Sequence, residues 1–79
     1  MQKEKYKFLY DFFIQREGNQ IVEELMNLDL IESGIIDSLD ILELAILIEK
    51  NTGVKIDLSN DQTFSAMRNF GSIINLVEE

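Results

Sequence analysis

Between Asp37 and Gly53 the chain reads as one helix, from Ser38 to about Thr52, that is apolar on nearly every side. Ile41, Leu44, Ala45 and Ile48 make its inner stripe. Asp40, Glu43 and Lys50 mark an outer face, yet Leu47 sits among them, with Leu39 and Ile46 at one edge. Asp37 is a good N-cap residue and Gly53 a good stop. Such a helix must be buried on more than one side or present a surface to a partner. Whatever else the chain does, it has to build around this segment.

What it can build with is limited. The 79 residues contain no cysteine, histidine or proline, so neither a disulfide nor the common Cys/His zinc site is available. The fold must rest on apolar packing, for which a hydrophobic fraction of 46% is ample. A chain this short hides only roughly 60% of its unfolded surface, and marginal stability is expected. The absence of proline permits uninterrupted helices.

Three further segments carry helical signals. From about Lys3 to Arg16, residues Tyr6, Leu9, Tyr10, Phe13 and Ile14 share one stripe, and Gly18-Asn19 supplies a stop. Phe8 and Phe12 lie off that stripe; they widen the buried face or form a small exposed patch. Near 60–67 a short helix is expected, with Ser59 and Gln62 resembling a capping box and Phe64 and Met67 as anchors. Asn69 then caps a last helix in which Phe70, Ile73, Ile74 and Val77 follow i, i+3, i+4, i+7. Residues 20–37 form a long connection, with Ile21, Val22, Leu25 and Met26 suited to one helical turn. Leu28, Leu30, Ile31, Ile35 and Ile36 are too apolar for a free loop and should lie pinned across the bundle. The expected fold is an all-α four-helix bundle, three main helices and one short one, in a single domain over residues 1–79.

The net charge is −8, and no basic residue stands between Arg16 and Lys50, while nine acidic ones do. Like-charge repulsion is therefore expected to oppose compaction. Nucleic acid is an unsuitable partner, because binding it relies on Lys and Arg. The acidic surface steers toward basic patches on proteins, or serves only solubility. No segment approaches the ~20 apolar residues of a membrane span, and Met1-Gln2-Lys3-Glu4 carries no signal-peptide core. A cytoplasmic monomer without membrane insertion is expected.

Residues 30–39, Leu-Ile-Glu-Ser-Gly-Ile-Ile-Asp-Ser-Leu, lead into the central helix and place Ser38 at its start. A helix N-terminus favours negative charge, so a phosphate on that hydroxyl would be well placed. With no histidine or cysteine in the chain, Ser38 lacks the usual base to become a nucleophile. The pattern suits a serine modified by another enzyme. Ser33 precedes Gly34 and lacks this setting.

Asp37-Ser38-Leu39-Asp40, then Glu43-Leu44, Glu49 and Gly53-Val54-Lys55-Ile56, resembles the acyl carrier protein family, over nearly the whole chain. Leu30-Ile31-Glu32-Ser33-Gly34-Ile35-Ile36 is similar to stand-alone bacterial carriers of the specialised kind, D-alanyl carriers among them. The resemblance implies an acyl-carrier-like bundle with a long loop between its first two helices. It implies that Ser38 carries 4′-phosphopantetheine, transferred from coenzyme A by a phosphopantetheinyl transferase, and that the arm's thiol holds acyl or aminoacyl cargo as a thioester. Asp37 and Leu39 would flank the attachment point. Asp40, Glu43, Ile46, Leu47 and Glu49 would meet partner enzymes through their basic docking patches. Leu42, Ala45, Ile46, Phe64 and Ile74 would line a shelter for the acyl chain, or be plain core. Thr52 stands where family members often carry an aromatic residue, and Lys50 interrupts the acidic helix.

Two other readings compete. In one, the chain is a helical interaction module that is never modified, and Ser38 merely helps cap the helix. In the other, the chain is an enzyme; the exposed pair Asp37 and Asp40 gives no reason for raised pKa values, so no catalytic residue is expected. No calcium-hand spacing is present, and no metal site is expected.

Overall fold

The computed structural model describes residues 6–78, and among them every regular element is helical. Helix α1 spans Lys7–Glu17, α2 Ser38–Thr52, α3 Asp61–Ala66 and α4 Phe70–Glu78. The expected start of the first helix near Lys3 lies outside the described residues. Its end falls at Glu17, one residue beyond the expected Arg16.

α1 buries Leu9 and Phe13, with Tyr10 and Ile14 half-buried beside them. Phe8 and Phe12 are half-buried against the same core, so they widen the face and form no exposed patch. The Phe70 ring of α4 stands edge-on to Phe13 at 5.7 Å and tilted against Tyr10 at 4.9 Å. Such aromatic pairs add directional preference to simple area burial, and here they set how α1 meets α4. At the other end of this pair, the Tyr6 hydroxyl donates to Glu78 Oε2.

The connection from α1 to α2 is more ordered than its sequence predicts. Two short 3₁₀ helices, Asn19–Glu23 and Leu25–Asn27, bury Ile21 and Leu25. Val22 and Met26, expected to pack with them, are exposed. A further turn follows, nucleated by Asp29, whose Oδ1 accepts from the N–H groups of Ile31 and Glu32 at 3.0 and 2.9 Å. Gly34, at φ 84°, ends this turn in the left-handed region and sends Ile35 and Ile36 into the core. The segment is pinned as expected, with Leu30 fully buried and its N–H donating to Arg68 O at 2.7 Å.

α2 begins and ends where its sequence signals lie. Ile41, Leu44, Ala45 and Ile48 are its buried residues, and Gly53 at φ 80° donates to Glu49 O at 2.8 Å. α3 is capped differently from expectation: Asn60 Oδ1, not Ser59, accepts from Gln62 and Thr63 N–H. Ser59 is already engaged, donating through Oγ to Asp57 Oδ1 at 2.6 Å. Met67 is fully buried and Phe64 half-buried. Asn69 does open α4, its Oδ1 accepting from Ser72 N–H at 3.3 Å.

All buried residues belong to one apolar core, and none of those described is polar or charged. The accessible surface is 5228 Å². An unfolded chain of 9.2 kDa exposes roughly 13,000 Å², so about three fifths is hidden on folding, the fraction expected at this size. Among the described residues no helix is long and apolar enough to cross a membrane.

Candidate functional site

Ser38 is the first residue of α2, and the cap just before it is made by Asp37. Asp37 Oδ1 accepts from Asp40 N–H at 2.9 Å, while Asp40 Oδ2 accepts from Asp37 N–H at 3.0 Å. This reciprocal capping box satisfies the helix end without using the Ser38 hydroxyl. Ser38 is exposed. The reading in which Ser38 serves as a cap acceptor therefore does not describe this helix; Asp37 has that job.

The Asp40 N–H bond is the main reason the Asp37 carboxyl is held below its ordinary value of 3.8, and the charge of Arg16 acts in the same direction. Asp40, expected on a free outer face, is instead turned inward. Its side chain is only 15% exposed and lies 2.8 Å from Arg16 Nη2. Arg16 reaches it from the last turn of α1, its guanidinium 5.2 Å from the centre of the Phe12 ring. Nothing in the linear sequence joins Arg16 to the start of α2.

These groups border an open cleft of about 630 Å³. Its lining combines the polar side chains of Arg16, Asp37, Ser38 and Asp40 with the apolar ones of Ile31, Ile35 and Ile36 from the loop and Phe64 from α3. Ser33 is exposed in the loop, donating to Leu30 O at 3.3 Å, and does not border the cleft.

The other residues expected to meet partners lie along α2. Leu39 and Ile46 are 72% and 61% exposed, and Leu42, expected as lining or core, is 51% exposed. Leu42 and Ile46 are thus surface residues and cannot line an interior shelter. Ala45 is buried, and Phe64 and Ile74 are half-buried. Leu47 is half-buried against the core and offers only part of its side chain. Glu43 and Glu49 are exposed.

A second arginine was silent in the sequence. Arg68, between α3 and α4, places Nη2 3.1 Å from Asp29 and 3.9 Å from Glu32, both in the loop that forms the cleft wall. Arg16 and Arg68 thus offset part of the acidic segment, at Asp40 on one side and at Asp29 and Glu32 on the other.

No group of His, Cys, Asp or Glu capable of holding a metal ion is present among the described residues. No protein-family model, curated protein or solved structure matches the chain.

Proposed function

We propose that this protein is a carrier of the acyl carrier type, with 4′-phosphopantetheine attached to Ser38 and cargo held as a thioester on that arm. The observation that carries this reading is an exposed serine, left unused by its own helix cap, bordering a cleft that polar and apolar side chains line together. The donor set suits the group: Ser38 offers the attachment oxygen, Arg16 a cation bordering the same cleft, and Ile31, Ile35, Ile36 and Phe64 an apolar surface. The arm, when attached, supplies a thiol on a long flexible tether; the protein supplies its location and the surface by which enzymes find it.

That surface is the exposed side of α2, where Leu39, Leu42 and Ile46 stand with Glu43 and Glu49. Apolar contact with an acidic fringe gives fast approach to basic partners at modest affinity. Partners are a phosphopantetheinyl transferase and the enzymes that load and unload the arm. The same exposed stripe favours a second reading, an unmodified interaction module.

The two readings separate on mass. Incubation with coenzyme A and a broad-specificity transferase should add one phosphopantetheine, mapped to Ser38 and absent from Ser38→Ala. No addition refutes the carrier reading, and addition at Ser33 refutes the assignment to Ser38.

A further inference from the structure

Arg16 is held on two sides, by the Asp40 carboxylate at 2.8 Å and by the Phe12 ring at 5.2 Å, and it borders the same cleft as Ser38. A guanidinium carries five N–H donors in a rigid fork, and the Asp40 contact is made through one nitrogen, Nη2. Among the described residues it is the one basic residue bordering the cleft. The Asp40 oxygen that holds it is itself anchored, accepting from Asp37 N–H at 3.0 Å. This is a cation fixed in place with donors to spare.

We propose that Arg16 is a positioning residue that clasps the phosphate of the group carried on Ser38, with Asp40 and Phe12 orienting the guanidinium. The inference rests on the carrier reading and names a residue that reading does not require. Its physical need is local. Asp37 and Asp40, bonded to each other, border the same cleft as Ser38, so a phosphodiester on Ser38 adds a third negative charge there. Arg16 is the group placed to offset it, since planar guanidinium donors match phosphate oxygens. Held this way, the first bonds of the arm leave Ser38 in a set direction. Without Arg16 the attached anion keeps the favourable end of the α2 dipole but loses the cation that offsets Asp37 and Asp40.

The experiment compares the full chain before and after modification, as wild type, Arg16→Gln and Arg16→Lys, each brought to complete conversion by intact mass. Measuring each variant against its own unmodified form removes the cost of losing the Asp40 pair. The wild type should gain about 2–5 °C in thermal midpoint on modification. Arg16→Gln should gain nothing or lose stability, and Arg16→Lys should keep part of the gain. The chain has two arginines, so its Nε–H spectrum contains two side-chain signals. The Arg16 signal should move on modification while that of Arg68 stays. An equal gain in Arg16→Gln, or a motionless Arg16 signal, overturns the proposal; the signal in wild type decides if Arg16→Gln does not fold. A parallel arm places phosphoserine at position 38 by genetic incorporation. If the transferase adds no mass but phosphoserine moves the Arg16 signal, the carrier reading fails and the clasp stands. If neither moves it, the clasp fails as well.

Discussion

Arg68 Nη2 lies 3.1 Å from Asp29 Oδ2, joining the α3–α4 corner to the loop that walls the Ser38 cleft. The contact is reinforced by the Leu30 N–H bond to Arg68 O and by the burial of Leu30. Arg68 therefore fastens the loop through both its side chain and its backbone.

Removing the side chain tests how much of that fastening is electrostatic. Arg68→Ala should lower the thermal midpoint by roughly 3–6 °C. It should also speed hydrogen exchange at Leu30 more than at Leu44. Added sodium chloride should raise the midpoint more in Arg68→Ala than in the wild type, because the acidic loop then has one cation fewer to offset its repulsion. An equal salt response would show that Arg68 acts through packing alone.

Acid stability should depend on carboxylates that are better solvated by donors in the fold than outside it. Asp37, Asp29 and Asp57 are each held below 3.8, chiefly by hydrogen bonds from Asp40 N–H, Glu32 N–H and the Ser59 hydroxyl respectively. A depressed group stabilises fully above its unfolded value and loses that contribution as pH falls through its folded value. The midpoint should therefore hold near neutrality and fall steadily below about pH 4. Asp37→Asn retains a cap acceptor but not the titration, so its acid limb should be shallower in a series of thermal melts.

The alkaline side turns on Tyr6, whose hydroxyl is pushed up to about 12, chiefly by donating to the Glu78 carboxylate. A raised group stabilises fully below its unfolded value, here 10.0, and the contribution is lost as pH climbs through about 12. Tyr6→Phe should start from a lower midpoint at pH 8 and lose less of it by pH 11. Parallel curves for the two proteins would remove Tyr6 from the account.

Docking should be tested away from Asp40, which holds both the helix cap and Arg16. Glu43→Lys with Glu49→Lys should slow modification by the transferase roughly tenfold at low salt while leaving the circular dichroism unchanged. Asp40→Lys should instead lower thermal stability as well. If the Glu43 and Glu49 pair leaves the rate untouched, approach is not steered by charge.

Phe13 joins the aromatic contacts of α1 and α4 and is fully buried. Phe13→Ala should cost about 3–5 kcal/mol, a large part of the roughly 4–12 kcal/mol available to a domain of this length. Chemical denaturation should show a much reduced midpoint or no cooperative transition.

The helices with local instructions were legible in the sequence. α2 follows from Asp37, its inner stripe and Gly53, and α4 from Asn69 and an uninterrupted i, i+3, i+4, i+7 series. Ser38 stood out for the same local reasons. What periodicity cannot carry is which apolar residues of an all-round apolar helix find cover. Periodicity places Leu44 and Ile48 on the inner stripe, where they are buried, but does not say whether a partner element covers Leu42 and Ile46, which face water because α2 is packed on one side only. The cap of α3 was misplaced because Ser59 and Asn60 are both suitable caps, and Asp57 claims the first. Arg16 and Arg68 meet their carboxylates across long sequence separations, so the cation that borders the Ser38 cleft is visible only once α1 is set against α2.

The hydrogen bond from Tyr6 to Glu78 also decides how the chain could be rewired. It brings the first turn of α1 beside the last turn of α4, so the described fold starts and finishes at one place. A short glycine-rich tether between those points would close the backbone into a ring, and a new opening in the exposed loop tip around Ser33 and Gly34 would give a permuted chain with every helix intact. The same geometry suits insertion into a loop of a host protein, which would need to spread its own backbone very little to admit it.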